Sequence, residues 1–206
     1  MSIEIIIMYT VIIMVLIFWL IGLIKKQKKS REEYKESSYY KITHNLYKSI
    51  YSDKGKFGEY DIYRRLRQQE NLGGKFLFNL YIPKEKDKIT EIDVLLINTK
   101  GIFVIESKNY SGWIFGDKNS RRWVQMLLYG YGQKQKNYFY NPILQNKTHI
   151  EYLKKIVKLD IPMYSIIVFS DECEVNTSLR VLLCRICVPY GHNLQFKSVH
   201  ILSGAF

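Results

Sequence analysis

Hydrophobic and polar positions change their period several times along this chain, and each change marks an element. Ile5 to Ile24 is a run of 20 residues without a charge. As a helix, at about 1.5 Å per residue, it would span roughly the 30 Å hydrocarbon core of a bilayer, with Trp19 suited to an interfacial position. Residues 25–55 are charged and Tyr-rich with only a weak helical pattern, and read as a basic juxtamembrane linker or helix. In "KFGEYDIYRRLRQQ", Phe57, Tyr60, Tyr63 or Arg64, and Leu66 recur every three to four residues, which predicts an amphipathic helix ending near Gly73-Gly74. "KFLFNLYIP" reads as a strand closed by Pro83, and "KEKDK" as a loop. "EIDVLLI" and "IFVIESK", joined by "NTKG", make a hairpin of two largely buried strands. "SGWIFG" and "RRWVQ" predict two short strands. Asn141-Pro142 starts a helix that turns Ile143, Ile150, Leu153 and Ile156 or Val157 to a core, and "MYSIIVFS" is one more buried strand. The order helix, three strands, helix, strand specifies an α/β domain with a mixed sheet.

The first 24 residues are expected to be a retained transmembrane anchor. A cleaved signal peptide would need positive charge before the apolar run, whereas here Lys25, Lys26, Lys28, Lys29 and Arg31 follow it. That cluster predicts a single pass in a cell membrane, taken to be bacterial, with the short N-terminus outside and the domain in the cytoplasm. Lysine and arginine number 31 against 19 acids, a formal charge of +12. Setting aside residues 1–31 leaves 26 basic against 18 acidic residues, so the surplus is not confined to the membrane flank. An anionic partner such as nucleic acid is implied, although a codon bias towards Lys and Asn accounts for part of it.

Chemistry enters where charge interrupts the apolar runs. Strand alternation sends Glu106 and Lys108 to one face, with about 6.6 Å between their Cα atoms, and Ser107 away. The hairpin turn at Lys100-Gly101 brings Asp93 beside them. Two carboxylates in one small space call for a cation, and oxygen ligands of this kind suit Mg²⁺ or Mn²⁺, with the Ser107 carbonyl as a further donor. Lys108 then stands ready to orient an attacking water or to stabilise charge growing on a phosphate. A plain salt-bridged strand end is the competing reading of the same three residues.

Taken together, "GEYDIYRRL", "EIDVLLINTKGIFVIESKNYSGWIFG", "WVQ" and "FYNPILQNKTHIEYL" resemble the nuclease-related domain (NERD), a branch of the PD-(D/E)xK nuclease superfamily. The match runs from about residue 56 to 170. The resemblance implies a restriction-endonuclease-like mixed sheet flanked by helices, with Asp93, Glu106 and Lys108 as the superfamily's acid, acid and lysine. It adds Glu59 as a further acid of the metal shell, Gln145 as a site residue, and Gln125 and His149 at matching polar positions; Ser107 stands where Thr is usual. Glu59 also has a bland reading, an acid favoured by the dipole of a first helical turn. His149 reads more readily as an ordinary surface or core histidine than as a catalytic base. Trp113, Trp123 and Tyr138-Phe139-Tyr140 read as core packing, with base stacking as the alternative.

Residues 171–206 form a tail without clean strand or helix period, and the resemblance fades there. Cys184, Cys187, His192 and His200 fit no standard zinc spacing, so zinc is not expected, nor are disulfides in a cytoplasmic domain. The expected function is metal-dependent hydrolysis of phosphodiester bonds in DNA, with RNA as the alternative nucleic acid. The alternative is a membrane-tethered binding module that keeps the nuclease fold without turnover.

Overall fold

A computed structural model of the chain describes the backbone of residues 3–177, 181–185 and 198–205, and the side chains of residues 3–176. Two compact units divide at Tyr47/Lys48.

In the first unit, α1 (Ile3–Glu36) is 34 residues long, about 51 Å at 1.5 Å per residue. Its most apolar 18-residue window has a mean hydropathy of 2.8 and no buried residue, so it is long and apolar enough to cross a membrane. The helix continues through the basic cluster into the segment whose sequence suggested a linker. α2 (Ser38–Thr43) follows, its first turn capped by the Ser37 hydroxyl, which accepts from the Tyr40 N–H. Tyr34 makes ring contacts with Tyr39, Tyr40 and Tyr47, and its hydroxyl donates to the Asn45 carbonyl at 2.7 Å. The clustered tyrosines that follow the apolar run therefore form a small aromatic core.

The second unit opens within α3 (Tyr47–Ser52) and continues with α4 (Lys54–Leu66), capped by Asp53 through the Gly55 and Lys56 N–H groups, and α5 (Gln68–Asn71). Glu59 therefore lies outside the first turn of its helix, and the dipole does not explain it. Then come β1 (Lys75–Pro83), β2 (Ile89–Asn98), β3 (Gly101–Lys108), β4 (Gly112–Gly116), β5 (Arg122–Leu128) and β6 (Lys134–Tyr140). α6 (Pro142–Val157), β7 (Met163–Phe169), β8 (Cys173–Thr177), β9 (Val181–Arg185) and β10 (Ser198–Ala205) complete the described elements. The fold is mixed α/β, as expected, with one sheet ordered β1-β2-β3-β7-β10-β9 and a second ordered β6-β5-β4-β8. Both are mixed, because β3 runs parallel to β7 and β4 parallel to β8.

α6 packs Ile150 and Leu153 on Ile82, Ile92, Leu95, Ile102, Val104 and Met163 of the larger sheet. Val157 joins that contact while Ile156 is 49% exposed, which resolves the choice between them. Asn146, fully buried, fastens the helix to two strands: its amide donates to the carbonyls of Val104 and Ile166 and to the Ser165 hydroxyl. A second core gathers Ile114, Trp123, Ile167, Phe169 and Cys173 between the sheets. Gly116 is required there, since a Cβ would lie 2.0 Å from the Trp123 indole.

Three sequence expectations change. β6 was not foreseen, because "KQKNYFY" offers no apolar alternation; its edge position makes backbone pairing with β5 sufficient. Only part of the aromatic set is core: Trp123 is fully buried and Phe139 packs beside it, while strand alternation leaves Tyr138 and Tyr140 outside. The tail supplies strands, with β10 antiparallel to β7 on one side and β9 on the other. The side chains weighed for zinc, Cys184, Cys187, His192 and His200, lie outside the described residues.

Candidate active site

The site forms where the β2–β3 ladder opens. The two strands pair from Asn98↔Gly101 to Val94↔Ile105, and the next pair would be Asp93 with Glu106. There the Asp93 carboxylate replaces the ladder, its Oδ2 accepting the Ser107 N–H at 2.8 Å. A residue in extended conformation sends its N–H and C=O to the same neighbour. The Ser107 carbonyl is thus turned towards the Asp93 side as well. The other strand bends too. Asn79, which would face Asp93 across β1–β2, takes a left-handed φ of 49° and interrupts the pairing between Phe78↔Val94 and Leu80↔Ile92.

Glu106 is 1% exposed. Its Oε1 accepts from Lys108 Nζ at 2.6 Å, and Lys108 also donates to Gln145 Oε1 at 3.3 Å. The strand alternation and the Asn-Pro helix start thereby bring Asp93, Glu106, Lys108 and Gln145 into one site. Ser107 points its side chain to α4, where a Cβ on Gly58 would come within 2.5 Å of its Oγ, so only glycine allows this approach. Glu59, one residue on, lies against Asn79, whose amide, oriented with its nitrogen towards the carboxylate, would donate to both oxygens at 3.0 and 3.2 Å. Gln125 stays with the second sheet, donating to the Ser111 carbonyl and accepting from Asn137.

Burial raises the Asp93 pKa against the Ser107 hydrogen bond and the Lys108 charge. Burial and the Asp93 charge push Glu106 up to about 7, although Lys108 pulls it down. Lys108 is itself raised despite its burial, chiefly by Glu106, and so remains an ammonium at neutral pH. A lysine in this form can act electrostatically or donate a proton. The remaining oxygen, Glu106 Oε2, is buried without a hydrogen bond, as is the facing His149 Nδ1 at 3.5 Å. An orphaned carboxylate oxygen beside a second desolvated carboxylate is a donor set that fits a hard dication. Among the described residues, no group of three or more His, Cys, Asp or Glu side chains is gathered to hold a metal. Asp93, Glu106 and the Ser107 carbonyl would therefore be the protein's share, the rest being water.

His149 is buried, with its pKa lowered to about 4 by burial, Lys84 and Lys108. Its linkage opposes that of Glu106. A carboxyl raised from 4.5 to about 7 makes the fold lose stability as pH rises across that window. A histidine lowered from 6.5 to about 4 makes the fold gain stability as pH rises between those values. The two effects offset each other in the overlap, from about 4.5 to about 6.5. His149→Gln keeps the polar contact and removes one of them. In chelator, the melting temperature of the variant minus that of wild type should fall steadily across this overlap; parallel profiles would refute the assignment.

Glu91 was missed by sequence reasoning. It lies two residues before Asp93, and its charge raises both Asp93 and Glu106. It also accepts a hydrogen bond from Tyr81. The Glu-x-Asp spacing on one strand face was the available signal.

The model of the nuclease-related domain, NERD, matches residues 54–170. An uncharacterized protein of Bacillus anthracis is 33% identical over 123 residues, which are 60% of this chain and 56% of that protein. The chain thus spans little more than half of that relative. No solved structure matches. With the family match covering more than half of its length and the acid, acid and lysine meeting at the opened ladder, the chain belongs to the NERD family, within the PD-(D/E)xK-like nuclease superfamily.

Proposed function

We propose that this protein is a membrane-anchored, metal-dependent nuclease that hydrolyses phosphodiester bonds of DNA. The observation supporting it most directly is the desolvated Asp93–Glu106 pair, with a cationic Lys108 at 2.6 Å from Glu106, at a point where backbone pairing has been given up to admit it. Asp93, Glu106 and the Ser107 carbonyl would hold Mg²⁺ or Mn²⁺. When bound, the ion supplies Lewis acidity and charge neutralisation at the phosphate. Lys108, anchored by Glu106 and Gln145, faces the charge that grows on the phosphoryl oxygens and donates to it. Gln145 fixes the lysine's direction. Glu59 lies against Asn79, and because no third carboxylate is gathered with Asp93 and Glu106 among the described residues, Glu59 would act on the ion through water. The apolar helix would place the domain at the cytoplasmic face of the membrane, given the basic residues that follow it.

A non-catalytic binding module is the second reading, favoured by the lack of a three-ligand cluster among the described residues. One experiment separates them. Membranes from cells expressing the full chain are washed with alkaline carbonate and assayed on plasmid and single-stranded DNA. Cleavage should stay in the pellet, depend on Mg²⁺ or Mn²⁺, stop with chelator and be poorly supported by Ca²⁺, which tolerates looser geometry. Binding without metal-dependent cleavage would favour the module, and release by carbonate would remove the anchor.

A further inference from the structure

The outer face of the smaller sheet takes no part in the site above. Directly opposed residues in an antiparallel ladder share a face. The pairs Arg122↔Tyr140, Val124↔Tyr138 and Phe115↔Val124 therefore set Tyr138, Tyr140, Arg122 and Phe115 together. Lys134 and Lys136 continue the same row of β6. The alternate residues Ile114, Trp123 and Phe139 point to the core. The outer set is left to solvent: Tyr138 is 65% exposed, Tyr140 46% and Phe115 37%. Arg121 and Arg122 join Tyr138, Phe139 and Tyr140 around an open depression. Residues 118–150 contain six basic side chains and no acid. Glu174, on β8 at the far edge, is hydrogen-bonded by Trp113 Nε1 at 3.0 Å.

Exposed rings alternating with cations on an open sheet match one ligand chemistry. Every base has a π-face for an aromatic ring, and every phosphate takes an Arg or Lys. Bases reach a sheet surface only when unpaired and splayed, so the duplex form is excluded from this contact. We infer that the outer face of β4–β5–β6 binds single-stranded nucleic acid, with Tyr138 and Tyr140 stacking on bases and Arg121, Arg122, Lys134 and Lys136 contacting phosphates. This rests on the nucleic-acid reading proposed above and gives it a strand preference. β4 begins four residues after Lys108, so chain geometry keeps the two within about 14 Å.

The test uses the full chain in detergent, with Ca²⁺ replacing Mg²⁺, and fluorescein-labelled oligothymidylate followed by anisotropy. Tyr138→Ala with Tyr140→Ala should weaken binding roughly tenfold per ring, while the paired Phe replacements restore it. Arg122→Ala should lower the slope of log affinity against log salt by about one. Both tyrosines are exposed, so the melting temperature should stay unchanged. If wild type binds the oligonucleotide and the double alanine variant binds it equally well, the platform is refuted and the nuclease reading stands. The same holds if the substitutions only convert a dimer to a monomer. If wild type neither binds the oligonucleotide nor cuts plasmid with Mg²⁺, the nucleic-acid reading itself falls.

Discussion

Lys108→Ala should cut plasmid DNA roughly 100- to 1,000-fold more slowly than wild type, the usual cost of removing one preorganised group from a developing charge. It should keep most of its affinity for Mn²⁺. The lysine is no ligand, and against the cost of its burial the ion pair with Glu106 keeps it protonated, so its contribution is a positive charge at a fixed place. Gln145→Ala should lose less, because it removes only the 3.3 Å contact that aims the ammonium. The substitution has a second effect in the metal-free chain. Lys108 holds down the proton affinity of Glu106, so in the variant Glu106 takes up a proton at neutral pH instead of standing as an unpaired buried charge. The fold should therefore survive. Equal cleavage by wild type and Lys108→Ala would point to a contaminating nuclease and leave the binding module as the function.

Asp93→Asn should abolish cleavage and weaken Mn²⁺ binding by roughly a hundredfold or more, since even outer-shell partners of a metal are worth about 10- to 100-fold. Yet its metal-free melting temperature should equal or exceed that of wild type. Asparagine keeps an oxygen to accept the Ser107 N–H, and it removes a desolvated charge that raises Glu106. The salt-bridge reading predicts the reverse, a loss of about 3–5 kcal/mol when one partner of a buried pair is removed. The geometry already separates the two readings in part, because the ion pair of Lys108 is with Glu106. Calorimetry in chelator, with a parallel Mn²⁺ titration, measures both quantities. A variant that melts well below wild type while still cutting DNA would make Asp93 a structural residue.

That Asp93, Glu106 and Lys108 meet was legible because strand alternation is a local rule that fixes a side chain's direction within a few residues, whereas Gln145 entered only through the family resemblance and the structure sets it against Lys108. What was illegible depended on partners far along the chain. Asn79 looks like an ordinary strand residue until its place opposite Asp93 is known, and Glu91 gains meaning only once Asp93 and Glu106 meet. Asn146 reads as a polar helix position, but the sheet beneath it makes it a buried clamp. β6 escaped because an edge strand is specified by backbone pairing more than by hydrophobic pattern. The segment after residue 25 was underestimated for a different reason: its tyrosines bury one another, a mode that no apolar periodicity announces.

The place of β10 in the larger sheet sets a timetable for the protein's birth. β7, which lies directly beside β3, the strand of Glu106 and Lys108, is synthesised well before the strand that covers its other edge. Translation adds about 5–20 residues per second, so for a second or more the nascent domain carries an open, apolar sheet edge. Unpaired edges of this kind recruit other chains. A holdase acting on the half-made chain, or slow translation after β7, would therefore govern how much protein reaches the folded state, independently of how stable that state is.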